Sequence, residues 1–333
     1  MNIDYAKIRS IIELNKMDQQ TMNIFHNEYS MEHYMTENYD DELVQLLRER
    51  SDKNEPYPLL HLALMYLLGL GLEKDLGKGT DLLKKSMDVG CSQAYYFMAM
   101  FVLIKQIECE MNYEELLNIA MKMKNSSAFV YKGLEYSETN IKKSIQFFKE
   151  AIKLDNYYAM YRLGELYHDN NKYKLAIKYY KQAMDKGVDH AYFNLAIMYR
   201  EGEGVDVNLV QAKKLFKDAM KMGNIRAITC IGGLHEENGN IEKAKKYYKL
   251  AIEKDDTFAK YNLALIYANE DEHKKAIQCF IASAKDGHEA SNHKLIYDYN
   301  VMSLEMTDKD IDELLNWHQA FKNFGAYDGF LSR

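Results

Sequence analysis

The segments AYFNLAIMY (191–199) and AKYNLALIY (259–267) are two copies of a nine-residue pattern that recurs along the chain. Eight copies align, and their starts lie 31 to 36 residues apart, at residues 58, 94, 128, 159, 191, 227, 259 and 291. A repeat of this length is typical of a solenoid, whose units bury their apolar faces only against neighbouring units. The sequence therefore predicts an all-α fold made of stacked helix pairs.

Small and large side chains occupy fixed places in this repeat. The sixth residue is small in seven of the eight copies, as at Gly232, and the ninth is tyrosine or histidine in seven. Eight residues before the next copy lies a small residue such as Ala251, and three residues before that lies a large one such as Tyr248. Small residues let helix backbones approach, and large ones fill the space beside them. We therefore expect each copy to form a first helix that packs against a second.

The sequence also predicts where the second helices end. A helix commonly stops at a residue with a left-handed backbone conformation, which glycine adopts without a steric penalty. Four of the seven second helices have glycine four residues before the next copy, and the others have aspartate or lysine. The predicted stop positions are Gly90, Lys124, Asp155, Gly187, Gly223, Asp255 and Gly287.

Together these positions resemble the tetratricopeptide-repeat superfamily over residues 58–333, and more closely its Sel-one-like repeat (SLR) branch. The SLR resemblance rests on glycine pairs in the inter-helix loops of two 36-residue units, GLG (69–71) and GEG (202–204). The shorter units lack this loop and look like plain tetratricopeptide repeats. The resemblance implies a right-handed α-solenoid of seven to eight antiparallel helix pairs, with a concave face lined by the first helices.

In that superfamily the third and fourth residues of the first-helix pattern project into the concave groove and contact a partner. The candidate residues here are Tyr161, Arg162, Phe193, Asn194, Tyr261, Asn262, His293 and Lys294. By this resemblance the asparagines would hold a peptide backbone, since an amide side chain both donates and accepts hydrogen bonds. Arg162 and Lys294 would pair with carboxylates of the peptide, and the aromatic rings would stack on its side chains.

One observation leaves the groove interpretation open. Thr229 and Cys230 occupy these positions in the sixth copy, so the chain departs from the carboxylate clamp of chaperone-binding relatives. The alternative is that all these residues are ordinary solvated positions on a helix.

Residues 1–57 differ from the rest of the chain in charge. They hold six Lys or Arg and twelve Asp or Glu, whereas residues 58–333 hold 37 and 38. The stretches 8–15 and 40–50 predict helices. Leu43 and Leu47 fall in the phase of a second helix, so 40–51 is interpreted as a degenerate capping repeat. An acidic docking segment is the alternative. At the other end, the copy from residue 291 is atypical, because Ile296 replaces the small residue.

No signature of an enzyme, cofactor or metal site is found. LGLGLEKDLGKGT (68–80) is similar to a phosphate-binding loop, but Leu72 and Gly79 stand where that loop needs Gly and Ser or Thr. His288 and His293 are five residues apart, so a helix would not point them at one metal ion. The near-neutral repeat region argues against nucleic-acid binding. The longest apolar run, 59–72, is too short to span a bilayer.

The sequence thus favours a protein without enzymatic activity, cofactor or metal, whose partner is a protein or peptide. The four cysteines are irregularly spaced and no secretory signal opens the chain, which predicts a reducing, cytoplasmic location. We expect an intracellular scaffold or adaptor that binds a peptide or helix in its groove. An obligate structural subunit of a larger complex is the first alternative, and a hydrolase of the type proposed for secreted SLR proteins is the second.

Overall fold

The computed structural model describes residues 41–299, 301 and 305–323, and all seventeen elements in these ranges are α-helices. Residues 1–40, with the predicted helix over 8–15, lie outside the described residues. In chain order the helices are α1 (Asp41–Ser51), α2 (Pro56–Leu68), α3 (Leu76–Asp88), α4 (Ser92–Leu103), α5 (Tyr113–Lys122), α6 (Ser126–Glu135), α7 (Ile141–Lys153), α8 (Tyr158–Asp169), α9 (Tyr173–Asp185), α10 (Asp189–Glu201), α11 (Leu209–Lys221), α12 (Ile225–Glu237), α13 (Ile241–Ile252), α14 (Thr257–Asn269), α15 (His273–Lys285), α16 (Glu289–Tyr299) and α17 (Asp308–Asn323).

The helices pack in the order that the repeat predicts. Each copy of the pattern lies in an even-numbered helix from α2 to α16, and from α2 to α15 each such helix packs against the next one as a pair. Within each of two compact units, Met1–Val188 and Asp189–Arg333, every second helix also packs against the first helix of the following pair. The predicted α-solenoid packing is therefore confirmed.

The predicted small and large residues meet inside the pairs. A Cβ atom built on Gly164 would lie 2.7 Å from the ring of Tyr180, and one on Gly133 would lie 2.6 Å from the ring of Phe148. Both rings are buried, as are the corresponding residues of the other pairs. Each such side chain contributes about 1.5–3 kcal/mol through burial of apolar surface. In the core, the small residue of a first helix thus contacts the large residue of the second helix in the same pair.

The predicted stop positions are also confirmed. All seven have positive φ, from +59° at Asp155 to +92° at Gly223. In the two longer units, both glycines of the GLG and GEG loops have positive φ as well, which turns the chain from the first helix into the second.

Asparagine and aspartate side chains begin several first helices. Asn125, for example, accepts a hydrogen bond from the backbone N–H of Ala128 at 2.9 Å, and its amide donates to Gln93 of the preceding pair at 2.6 Å. Asn224 and Asp256 cap α12 and α14 in the same way, and just before α8 the Asn156 side chain accepts from the N–H of Ala159. These caps fix the entry of each pair, since an unpaired N–H at a helix start would otherwise need water.

The two ends of the described chain differ from the interior. The predicted helix over 40–50 is observed as α1, and Val44 and Leu47 cover Leu62 of α2. At the other end, α17 packs against α15, with Ile311 buried and the Asp312 carboxylate 2.7 Å from Lys274 Nζ. Both ends therefore give the outermost repeats a partly polar cover.

Candidate partner-binding surface

In the first unit, Tyr161 is part of the core. Its side chain is only 6% exposed and its ring lies beside Tyr158 and Tyr180, with centroids 5.3 and 6.1 Å away. Its hydroxyl donates to Glu165 at 2.5 Å, and burial together with this carboxylate raises the pKa of the phenol. Tyr161 is therefore not available to stack on a partner's side chain as expected, because the aromatic neighbours on α8 and α9 enclose it.

Arg162 is held by its own helix. Its Nη1 lies 2.8 Å from Oε2 of Glu165, and the guanidinium lies 4.9 Å from the ring centroid of Tyr158. The charge that was predicted to meet a partner carboxylate is therefore already matched. In the first unit, the Arg162 guanidinium is therefore occupied by Glu165 and does not offer a free charge to a partner carboxylate.

In the second unit, Phe193 is also buried. It is 9% exposed and packs edge-to-face on Phe216, with ring centroids 5.6 Å apart. The expectation of an exposed stacking ring is again wrong, because the large residue of α11 contacts Phe193 directly. Asn194, the next residue on α10, is half-buried.

Two arginines lie near Thr229 and Cys230, the positions at which the sixth copy departs from the predicted groove residues. The Arg226 guanidinium lies over the ring of Phe193, 5.3 Å from its centroid, and no carboxylate of the described residues pairs with it. Arg200 pairs with Glu201 at 2.7 Å. Burial raises the pKa of the Cys230 thiol, although both arginines oppose this. Arg226 was not among the predicted residues, because it stands one residue before the start of the nine-residue pattern.

Further along the second unit, aromatic residues reach the surface of α14. Tyr261 is half-buried, and its ring lies 5.7 Å from that of Phe280 and 4.7 Å from that of His288. Phe258 lies one turn earlier and is 55% exposed, with its ring edge-on to His288. Asn262 is half-buried on the same helix. Phe258 had no place in the predicted site, because it precedes the pattern like Arg226.

The last predicted pair lies on α16. His293 is exposed, and its ring packs 4.2 Å from that of Tyr297. The Lys294 ammonium lies 2.7 Å from the Asp298 carboxylate, which raises its pKa. As with Arg162, the cation is neutralised by its own helix.

The second unit thus presents one set of groups that a partner could contact. We call it the first-helix surface, and it comprises Asn194, Arg226, Phe258, Tyr261, Asn262 and His293 on α10, α12, α14 and α16. It combines an unpaired guanidinium on an aromatic ring with exposed aromatic area and amide groups. Such groups bind carboxylates, apolar side chains and peptide backbone.

Other kinds of site are absent from the part of the chain that the structure describes. No three His, Cys, Asp or Glu side chains there are grouped to hold a metal ion, and none of its helices is long and apolar enough to cross a bilayer. All four cysteines are free thiols.

Comparison with known proteins gives two matching family models. The Sel1 repeat model matches residues 59–90, 128–156 and 189–224. The tetratricopeptide repeat model matches residues 157–185, 226–256 and 259–285. The expectation that the shorter units are plain tetratricopeptide repeats is wrong for 128–156, which matches the Sel1 model without a Gly-x-Gly loop.

Curated relatives match over shorter stretches. The chain is 28% identical over 122 residues to a Sel1-like repeat-containing protein of Acanthamoeba polyphaga mimivirus, covering 35% of this chain and 21% of that one. It is 26% identical over 157 residues to an uncharacterised protein of Neisseria meningitidis serogroup B, covering 45% and 33%. The chain therefore spans at most a third of the length of these relatives.

Solved structures share the fold along most of the chain. A Sel1 repeat protein from Oxalobacter formigenes has a TM-score of 0.55 at 16% identity, with 87% of this chain and 92% of that chain covered. Yeast Tom70 has a TM-score of 0.51 at 18% identity, with 86% and 59% covered. Repeat pattern, helix packing and both family models agree, and the chain belongs to the tetratricopeptide-repeat superfamily as a protein with Sel1-like repeats.

Proposed function

We propose that the chain is an adaptor or scaffold that binds an acidic peptide segment of a partner protein on the first-helix surface of its second unit. Repeats of this superfamily generally mediate protein–protein interaction, and their fold is typically not enzymatic. The observation that carries the proposal is the exposed Arg226 guanidinium, which lies over Phe193 without a carboxylate partner among the described residues. The four free thiols favour a reducing compartment such as the cytoplasm.

The geometry around Arg226 suits recognition of a carboxylate. A guanidinium presents a planar fork of N–H donors that binds a carboxylate with two parallel hydrogen bonds. The ring of Phe193 restricts the orientation of this fork, so less rotamer entropy is lost when a ligand binds. Phe258 and Tyr261 add aromatic contact area, which is the side-chain class that dominates binding energy at interfaces.

The test is a comparison of binding by matched variants. A partner is first identified by capture on the purified chain, and its binding segment is made as a labelled peptide. We expect Arg226→Ala combined with Asn262→Ala to weaken binding by tenfold or more, since each leaves a polar group of the peptide unpaired at about 1–3 kcal/mol. Lys254→Ala, an exposed cation at the turn before α14, serves as the control. Equal affinity of all three proteins would overturn the proposal.

A second role, that of a subunit held within a larger complex, is favoured by exposed apolar residues at the start of α11. Val207 and Leu209 are both exposed there. Exposed apolar groups of this kind are typical of surfaces that another protein covers. The mass of the purified chain in solution distinguishes the two roles, because an adaptor is a stable monomer whereas an obligate subunit aggregates without its complex.

A further inference from the structure

In the second unit, Lys213 and Lys217 on α11 and Lys243 on α13 lie near His235 of α12. Lys213 Nζ on α11 lies 3.1 Å from Nε2 of His235, whose ring stacks on Tyr247 with centroids 5.4 Å apart. Burial and then the charges of Lys213, Lys243 and Lys217 lower the pKa of His235. The pKa of Lys213 is lowered as well, by burial and by the other two lysines. The positive charge at this place is therefore uncompensated.

The same arrangement occurs 32 residues later with its charges compensated. There Tyr267 takes the place of His235, and Lys245 and Lys275 take the places of Lys213 and Lys243. Both ammonium groups lie over the Tyr267 ring, 5.8 and 5.3 Å from its centroid. The pKa of each lysine is raised, and in both cases a hydrogen bond to a glutamate is the largest cause that raises it.

Three glutamates provide this compensation. Lys245 Nζ lies 3.0 Å from Glu242 and 2.6 Å from Glu270, and Lys275 pairs with Glu272. The matching positions around His235 hold Val210, Asn238 and Asn240.

None of these three replacements can neutralise a lysine. Val210 is 83% exposed, and the amides of Asn238 and Asn240 donate to backbone carbonyls at 2.6 and 3.3 Å. Within the described residues no carboxylate pairs with Lys213, Lys217 or Lys243. This repeat thus has the cations of the neighbouring repeat and none of its three anions.

We propose that Lys213, Lys217 and Lys243 bind a phosphate monoester group beside His235. A phosphate monoester carries nearly two negative charges and three acceptor oxygens, so one group can replace carboxylates that the neighbouring repeat supplies separately. The imidazole of His235 has a ring N–H that can donate to a phosphate oxygen. The ester can belong to a phosphorylated side chain of a protein partner or to a small metabolite, and the two sources share this chemistry.

The experiment follows the His235 ring signals by NMR in the full chain at constant ionic strength. The probes are inorganic phosphate, a phosphoserine peptide and the same peptide with unmodified serine. Binding should shift the ring signals and raise the pKa of His235, since an anion stabilises the imidazolium. We expect dissociation constants near 1 mM for inorganic phosphate, as for other small weakly held ligands.

Matched variants assign the effect to the lysines. Lys213→Gln, Lys217→Gln and Lys243→Gln together should abolish the response, and Lys245→Gln with Lys275→Gln should leave it intact. Val210→Glu, Asn238→Glu and Asn240→Glu together install the carboxylates of the neighbouring repeat and should also abolish it. Replacing the same three residues with Gln is the neutral control. Arg226→Ala should respond to phosphate like the parent chain. This result would separate the phosphate site from the first-helix surface of the proposed function.

Each outcome is decisive. Binding of the phosphoserine peptide at least tenfold tighter than of inorganic phosphate supports the site with a protein partner as the source. Similar affinities support it with a small ester as the source. Unmoved His235 signals with both phosphate probes, equal shifts with chloride, or a full response of the Lys→Gln triple variant would overturn it.

Discussion

Gly232 and Tyr248 lie so close together that a methyl group on Gly232 would stand 2.6 Å from Cε1 of the tyrosine ring. The ring cannot easily move away, because it is buried and its hydroxyl donates to Glu236 at 2.7 Å. Gly164 and Tyr180 repeat this relationship in the first unit. The small residue of the repeat is therefore a steric requirement of its own helix pair.

Gly232→Ala tests this requirement. We expect a loss of about 1–3 kcal/mol in the free energy of unfolding from overpacking, reduced by up to about 1 kcal/mol because alanine favours the helix. Gly233→Ala is the control, since its methyl group would lie 3.7 Å from the Tyr248 hydroxyl, at ordinary contact distance. The control should be neutral or stabilising by urea denaturation. Equal effects of the two substitutions would contradict the close contact.

The cover that α1 provides can be tested at Leu47. Leu47→Asp places a charge against the apolar residues of α2, and burying an unpaired carboxylate is strongly unfavourable. The variant should lose α1 packing, expose Leu62 and Met65, and aggregate more readily in light scattering on heating. Gln45→Asp, two residues earlier on the exposed side, loses only its hydrogen bond to Glu49 and should not aggregate more than the parent chain.

Much of this fold follows from short-range sequence pattern. The stop at Asp155 and the contact of Gly232 with Tyr248 depend on residues inside one repeat, so the spacing alone predicts them. The site was less predictable, because exposure of a helix position depends on its neighbours in space. Tyr161 is enclosed by Tyr158 and Tyr180, and no property of its own position indicates this.

A second failure of the pattern concerns Lys132. It stands at the fifth residue of its copy, where six of the other seven copies have Leu or Ile, yet it is buried. Its ammonium lies 2.7 Å from Glu114 of the preceding pair and 2.6 Å from Glu135. Sequence spacing could not predict the contact with Glu114, since that carboxylate comes from a different helix.

The sign of the change in stability can be predicted for substitutions in this ion cluster. Glu114→Gln with Glu135→Gln leaves the buried ammonium without a counter-charge and should cost about 3 kcal/mol at pH 7, whereas Lys132→Leu should be neutral or stabilising. The pKa of Glu114 is lowered, chiefly by its hydrogen bond with Lys132, so its contribution is present above the unfolded pKa and is lost as pH falls through the folded one. Urea midpoints of parent and double variant should therefore converge at acidic pH. A constant difference would contradict this origin.

Substitutions of buried and of half-buried residues of the predicted site should differ in their effect on the free energy of unfolding. Phe193→Ala opens a cavity beside Phe216 and should cost about 3–5 kcal/mol. Asn262→Ala should change the free energy of unfolding by no more than about 0.5 kcal/mol, as partly exposed polar positions usually do. Thermal melting of both variants measures this, and a large loss in Asn262→Ala would mean that its amide supports the fold.

The histidine among the lysines makes stability depend on pH. Its pKa is lowered in the folded chain, so below its unfolded value of 6.5 the unfolded chain binds more protons and stability falls with falling pH. His235→Tyr introduces the residue that stacks in other repeats, as Tyr167 does on Tyr179, and removes this titration. The variant should gain stability over the parent chain at pH 5.5 relative to pH 8 in urea unfolding. If the gain of His235→Tyr were equal at both pH values, burial and the neighbouring lysines would not be holding His235 in its neutral form.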